Sequence, residues 1–232
     1  MRILQLGNGG GFDFDKTNSS FLIEQDEHLI LFDCGFNIMS RLKSYDSINI
    51  EDIDVVYISH MDEDHIGNLK MFIYYRYFMF NKKTNIICHL AINDDINNYL
   101  KKVESELIGC KVTNAYMYDI MNIGDDEIQI YPGISIQSTP CNHGSTVTHG
   151  AIFRAESKSV FISADTKASK YIEEISKDCD LIFHDYSHWD FVTRNVHACK
   201  TDFELEYSEE YRERAIKYHT GDENFKKDWY EL

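Results

Sequence analysis

The segment Val55-Val56-Tyr57-Ile58-Ser59-His60-Met61-Asp62-Glu63-Asp64-His65 constrains this chain most. Its first four residues are β-branched or aromatic and read as a short strand buried on both faces. The remainder is polar: two histidines bracket three carboxylates within six residues. Solvated acidic loops are common, but histidines at both ends of one, directly after a buried strand, point to a metal cluster. Imidazole and carboxylate are good donors for Zn, Mn or Fe. In an extended loop alternate residues face the same way, so His60, Asp62 and Asp64 can converge on one side.

Around this segment the apolar pattern is one of short strands bounded by turns. Expected strands are Ile3–Leu6, Ser20–Ile23, Leu29–Phe32, Val55–Ile58, Ile86–His89, Ile134–Ser138, Ala151–Arg154, Val160–Ser163, Leu181–Phe183 and Ala215–Tyr218. The polar tip at 24–28 suits a hairpin. Helices are expected over Gly67–Phe80, Asp94–Ile108 and Lys170–Ile175, and the acidic run Asp202–Glu213 reads as a solvated helix or lid. Early hairpins followed by strand–helix alternation predict an α/β sandwich with its sheets inside. With two prolines in 232 residues and no Gly- or Ser-rich linker, residues 1–232 are expected to form a single domain.

Composition narrows the partners. The formal net charge is −16, from 39 acidic and 23 basic residues. Affinity for long nucleic acids rests on Lys and Arg neutralising phosphates, so an extended RNA or DNA partner is disfavoured. A small anionic substrate stays open, because bound divalent cations supply local positive charge. No run of 18 apolar residues predicts a membrane span. The six cysteines, at 34, 88, 110, 141, 179 and 199, form no C-x-x-C pair. Together with the absence of a secretion signal, they predict reduced thiols and a cytoplasmic protein.

The metal segment resembles the H-x-H-x-D-H motif of the metallo-β-lactamase superfamily, matching at His60, Asp64 and His65 and departing at the second histidine, where Asp62 stands. Further marks come in order along the chain. Phe32-Asp33-Cys34-Gly35 looks like the D-x-G turn that braces the metal loop. Thr139-Pro140-Cys141-Asn142-His143-Gly144-Ser145 looks like the segment carrying the third histidine of the first metal site. Phe161-Ile162-Ser163-Ala164-Asp165-Thr166 resembles the G-D-T segment with the bridging aspartate, and Lys217-Tyr218-His219-Thr220 the segment with the last histidine. The resemblance implies a metallo-β-lactamase αββα sandwich and two divalent metal ions. His60, Asp62 and His143 would hold the first, and Asp64, His65 and His219 the second, with Asp165 bridging. Asp62 is harder than imidazole and moves the preference from Zn towards Mn or Fe.

Leu181-Ile182-Phe183-His184-Asp185, with Val196-His197 beyond it, is similar to the ribonuclease Z-like phosphodiesterase branch, in which a carboxylate and a later histidine protonate the leaving oxygen. Asp185 and His197 would take those places beside Asp64 as the catalytic set. Ribonuclease Z itself uses a protruding basic arm, and none is present here. Size, the missing arm and the Asp185–His197 pair fit the compact phage and bacterial enzymes that hydrolyse 3′,5′-cyclic nucleotides and disarm cyclic-pyrimidine (Pycsar) immune signalling. The alternatives are an RNA endonuclease of the ribonuclease Z type, thioester or lactam hydrolysis as in other branches, and a degenerate fold that sequesters nucleotides. Tyr74, Tyr75, Tyr77, Phe78 and Phe80 read first as a core helix, and otherwise as a homodimer contact or base-stacking lid. Asn8-Gly9-Gly10-Gly11 reads as a turn at the edge of the site.

Overall fold

The computed structural model describes residues 1–101, 116–188, 196–222 and 225–232. The chain divides into two compact units, one of residues Arg2–Ile123 with Phe225–Glu231, the other Gly124–Asn224 together with Met1 and Leu232.

The first unit is built on a seven-stranded sheet in the order β13-β1-β2-β3-β4-β5-β6. Strands β1 (Arg2–Gly7), β2 (Ser20–Gln25) and β3 (His28–Phe32) run antiparallel. From β3 onward β4 (Val55–Ile58), β5 (Thr84–His89) and β6 (Tyr118–Ile123) are parallel, and β13 (Tyr230–Glu231) pairs with β1. Every residue of β4 is buried, as expected of a central parallel strand. Helices α1 (Ile38–Lys43), α2 (Glu63–Ile66), α3 (Leu69–Phe80) and α4 (Asn93–Lys101) lie between strands. Leu42, Leu69, Phe72 and Ile73 from these helices pack with Leu31, Val56, Ile58 and Ile86 from the sheet.

The second unit carries a six-stranded sheet, β12-β11-β10-β9-β8-β7. Here β7 (Ile128–Tyr131), β8 (Ile134–His143), β9 (Thr146–Ala155) and β10 (Lys158–Ile162) are antiparallel, whereas β10, β11 (Leu181–Asp185) and β12 (Ala215–Tyr218) are parallel. Helices α5 (Lys170–Ser176), α6 (Lys200–Glu206) and α7 (Glu209–Arg214) complete it.

Three features differ from that reading or add to it. The helix expected over Gly67–Phe80 is present as α3, while Gly67 caps α2 at a point where a β-carbon would lie 2.5 Å from the Glu63 carbonyl oxygen and from the Phe36 ring. Edge strands β6 and β7 are additions to the expected set; among the described residues each is paired on one side only, and most of each is half-buried or exposed. The acidic run at 202–213 is not simply solvated: Phe203, Tyr207 and Tyr211, spaced four apart, bury one face of α6 and α7 in a cluster with Phe161 and Ile182. The helix expected over Asp94–Ile108 is seen as α4 up to Lys101, and its remainder lies outside the described residues. No helix among the described residues is long and apolar enough to cross a membrane. Cys34, Cys88, Cys141, Cys179 and Cys199 are thiols outside any disulfide, and Cys110 lies outside the described residues.

Candidate metal centre

In open α/β sheets, ligands bind outside the carboxyl ends of the parallel strands. The sequence-predicted residues fall there in both units. Asp33 and His60 come just after β3 and β4 in the first unit. In the second, Asp165 comes after β10, Asp185 ends β11, His219 comes directly after β12, and His143 ends β8.

Asp33 organises the loop of the first unit. It is 1 % exposed and has φ 61°. Its carboxylate accepts the Ser59 backbone N–H at 2.8 Å, the Ser59 hydroxyl at 2.7 Å and His65 Nδ1 at 2.7 Å. The Cys34 N–H donates to the His65 carbonyl at 2.7 Å. Gly35 is what lets the two segments close up: a β-carbon there would sit 1.7 Å from the Asp64 carbonyl oxygen. The D-x-G turn thus braces the metal loop, as its resemblance implies.

Proton bookkeeping fixes three rings. A carboxylate only accepts, so His65 carries its proton on Nδ1 and turns an unprotonated Nε2 outward. Ser59 has one hydroxyl proton and gives it to Asp33, so at 2.9 Å its oxygen accepts from His60 Nδ1, which leaves His60 Nε2 unprotonated. In the second unit, His143 Nδ1 donates to the Val196 carbonyl at 2.9 Å, with the same consequence for its Nε2. The role of Ser59 has no sequence signal beyond its place before His60, and sequence reasoning missed it.

The distances between ligand atoms have a common value. His60 Nε2 is 3.6 Å from Asp62 Oδ2, and His65 Nε2 is 3.5 Å from Asp64 Oδ2. In the second unit Asp165 turns one oxygen to each of two rings, Oδ2 3.8 Å from His143 Nε2 and Oδ1 3.7 Å from His219 Nε2. These gaps are too long for hydrogen bonds. They lie at or just above the spacing of donors sharing one cation, since metal–ligand bonds of about 2.0–2.2 Å in a tetrahedron set ligand atoms about 3.3–3.6 Å apart. The donor set therefore fits divalent metal. Within the second unit Asp165, Asp185, His197 and His219 also bring one ligand atom each within 4.8 Å of one another.

His197 and Asp185 form the expected pair. His197 Nδ1 donates to Asp185 Oδ2 at 2.8 Å, and the same oxygen accepts the Thr166 N–H at 2.8 Å. Burial works against a charged His197, but the charge and hydrogen bond of Asp185, with the charge of Asp165, outweigh it and hold its pKa above the ordinary value. His184, adjacent in sequence, does something else. It is fully buried, donates from Nδ1 to the Asp185 carbonyl at 2.7 Å, and accepts the Tyr207 hydroxyl proton on Nε2 at 2.6 Å. Tyr207 in turn accepts the Ser169 N–H at 3.1 Å. Burial pushes the His184 pKa down to about 4. Because the folded value lies below the unfolded 6.5, His184 supports the fold above about pH 6.5, and that support is lost as pH falls towards 4. The loss should reach about 3 kcal/mol. Urea unfolding at neutral and mildly acid pH would show it, and His184→Gln should remove that part of the slope; an identical slope in the variant would exclude His184 as its source. His188 pairs with Asp222 at the surface, at 2.8 Å.

The sequence signature of the family described as "Anti-Pycsar protein Apyc1" matches residues 1–229. The chain belongs to the anti-Pycsar Apyc1 family. An anti-Pycsar protein Apyc1 from Bacillus phage 010DV004 is 25 % identical over 240 residues, covering 96 % of this chain and 90 % of its own length. Among solved structures, the metallo-β-lactamase fold protein YhfI from Bacillus subtilis aligns with a TM-score of 0.75 at 19 % identity, over 94 % of this chain and 86 % of its own. The short form of human tRNase Z (ELAC1) aligns at 0.73 with 14 % identity, over 95 % and 92 %. This member of the Apyc1 family therefore has the α/β metallo-β-lactamase fold that the motifs implied.

Proposed function

We propose that this protein is a metal-dependent phosphodiesterase that hydrolyses 3′,5′-cyclic nucleotides and so counteracts cyclic-nucleotide immune signalling. The observation that carries the reading is Asp165, whose two oxygens face His143 and His219 separately, as a bridging carboxylate must. Membership of a family named for opposing Pycsar defence supports a cyclic nucleotide as the substrate.

In this reading His60, Asp62 and His143 would hold one divalent cation and Asp64, His65 and His219 a second, with Asp165 shared. Bound divalent cations supply Lewis acidity at the phosphoryl oxygens and lower the pKa of water. The chain's own residues do the rest. Asp33, Ser59 and the Val196 carbonyl hold the histidine rings with Nε2 forward. Asp185 accepts from His197 Nδ1 and favours the imidazolium, whose Nε2 proton is delivered to the departing ribose 3′-oxygen. A water oxygen bonds to phosphorus as the P–O3′ bond of the six-membered ring breaks, giving a nucleoside 5′-monophosphate whose 3′-oxygen leaves as a hydroxyl.

The test is to incubate the purified protein, with Mn or Zn added, with a panel of 3′,5′-cyclic nucleotides, a bis-phosphodiester and a short RNA. Turnover of cyclic nucleotides with two metals per chain is expected. Asp64→Ala should abolish turnover and remove one of the two metals by elemental analysis. Binding of nucleotide without turnover would favour sequestration, and cleavage of RNA alone would favour the endonuclease reading.

A further inference from the structure

The turn between β1 and β2 presents two phenylalanines that nothing in the fold requires. Phe12 is 91 % exposed and Phe14 83 %. Single exposed apolar side chains are ordinary on protein surfaces. Here two lie in three residues, with ring centroids 6.4 Å apart, edge to face at 81°.

The turn that carries them is firmly held. The Gly9 N–H donates to the Thr17 carbonyl at 2.9 Å, and Ser19 N–H to the Gly9 carbonyl at 2.9 Å. Asp13 Oδ2 accepts the Gly10 N–H at 2.9 Å, and Asn18 Nδ2 donates to the Gly10 carbonyl at 3.1 Å. Exposure therefore comes with order, and the backbone holds the rings outward without help from the core.

Position gives them a use. A β-carbon on Gly11 would be 3.4 Å from Asp64 Oδ1 and 3.5 Å from Oδ2. The backbone immediately before Phe12 thus passes close to a carboxylate proposed as a metal ligand. A nucleotide whose phosphate is taken by cations held at Asp64 places its base nearby, and a flat apolar face is what a base stacks on. A β-carbon at position 11 would meet that carboxylate in ordinary van der Waals contact.

We propose that Phe12 and Phe14 are the base-stacking platform of the substrate, and so residues that determine preference for nucleotides over other phosphodiesters. This rests on the phosphodiesterase reading. Stacking is tolerant of base identity, so the platform selects for an aromatic base more than for a particular one.

The experiment compares wild type, Phe12→Ala, Phe14→Ala and the double variant, with Phe12→Tyr and Phe14→Tyr as conservative controls. Substrates are 3′,5′-cyclic nucleotides and the abasic ribose 3′,5′-cyclic phosphate. A non-hydrolysable 3′,5′-cyclic phosphorothioate gives Kd by calorimetry, independently of turnover. Each Ala substitution should raise KM and Kd for the nucleotides about 5- to 150-fold. It should leave kcat within about threefold and shrink the preference for nucleotide over abasic substrate, and the Tyr variants should restore it. Unchanged KM and Kd in the double variant, with an active wild type, would overturn the platform and leave the phosphodiesterase reading standing. An equal loss on the abasic substrate would overturn it too, as would conversion of an oligomer to monomers, which would make these rings a contact with a second copy. A wild type that turns over no cyclic nucleotide would remove the reading itself and the platform with it.

Discussion

His197→Ala should slow hydrolysis of 3′,5′-cyclic nucleotides by about 10²–10⁴, the range expected for loss of a general acid. The effect should depend on the leaving group. A ribose 3′-oxygen is a poor leaving group and needs its proton as the P–O bond breaks. A p-nitrophenolate is stable as an anion and hardly needs one. The variant should therefore be crippled on cyclic nucleotides and much closer to wild type on bis-(p-nitrophenyl) phosphate. Metal content should be unchanged, because His197 is not among the proposed ligands. Equal losses on both substrates would make His197 a phosphate-positioning group. Loss of metal would make it a ligand, which its place in a cluster with Asp165, Asp185 and His219 would then explain.

Gly35→Ala should be the most damaging single methyl group in the first unit. The added carbon would overlap the Asp64 carbonyl oxygen at 1.7 Å, and backbone against backbone cannot relax by rotating a side chain. Overpacking of this kind costs about 3 kcal/mol or more, which for a chain of this size lowers Tm by about 6–12 °C. Since Asp64 and His65 must move to make room, turnover should fall with stability, and metal should be lost at concentrations that saturate the wild type. Calorimetry and elemental analysis measure the two effects. A variant with the wild-type Tm would mean that the turn and the metal loop approach less closely than described.

Much of this was legible because the chemistry is local. His60, Asp62, Asp64 and His65 stand within six residues, and the strand before them could be recognised from four apolar letters. The Asp185–His197 pair came from a motif resemblance, and a 2.8 Å hydrogen bond joins the two side chains. Parts that depend on pairing across the chain were not legible. Edge strands β6 and β7 are among them: each has a neighbour on one side only among the described residues, and most of each is half-buried or exposed. Helices α6 and α7 look acidic in sequence because most of their residues are polar; only Phe203, Tyr207 and Tyr211, read together, show the buried face. Ser59 was missed because its work is to pass a hydrogen bond between Asp33 and His60, and a serine doing so looks like any other. His184 and His197 could not be told apart by type. The first is buried against Tyr207, and the second has a carboxylate partner, which is what suits it to the proposed proton transfer.

Three residues near the strand ends, Asp33, Ala164 and His219, have φ of 61°, 52° and 63°. None is a glycine, so each spends about 1 kcal/mol or more to stand in a left-handed conformation. Two of them are assigned work at the site and the third precedes Asp165. Stability and activity therefore pull in opposite directions at these positions. Glycine at 164 would ease the backbone but loosen the link that aims the Asp165 carboxylate, and relaxing 33 or 219 would remove a brace or a proposed ligand. A search for hardier versions of this protein that scored folding alone would drift towards these three sites and disarm the enzyme on the way.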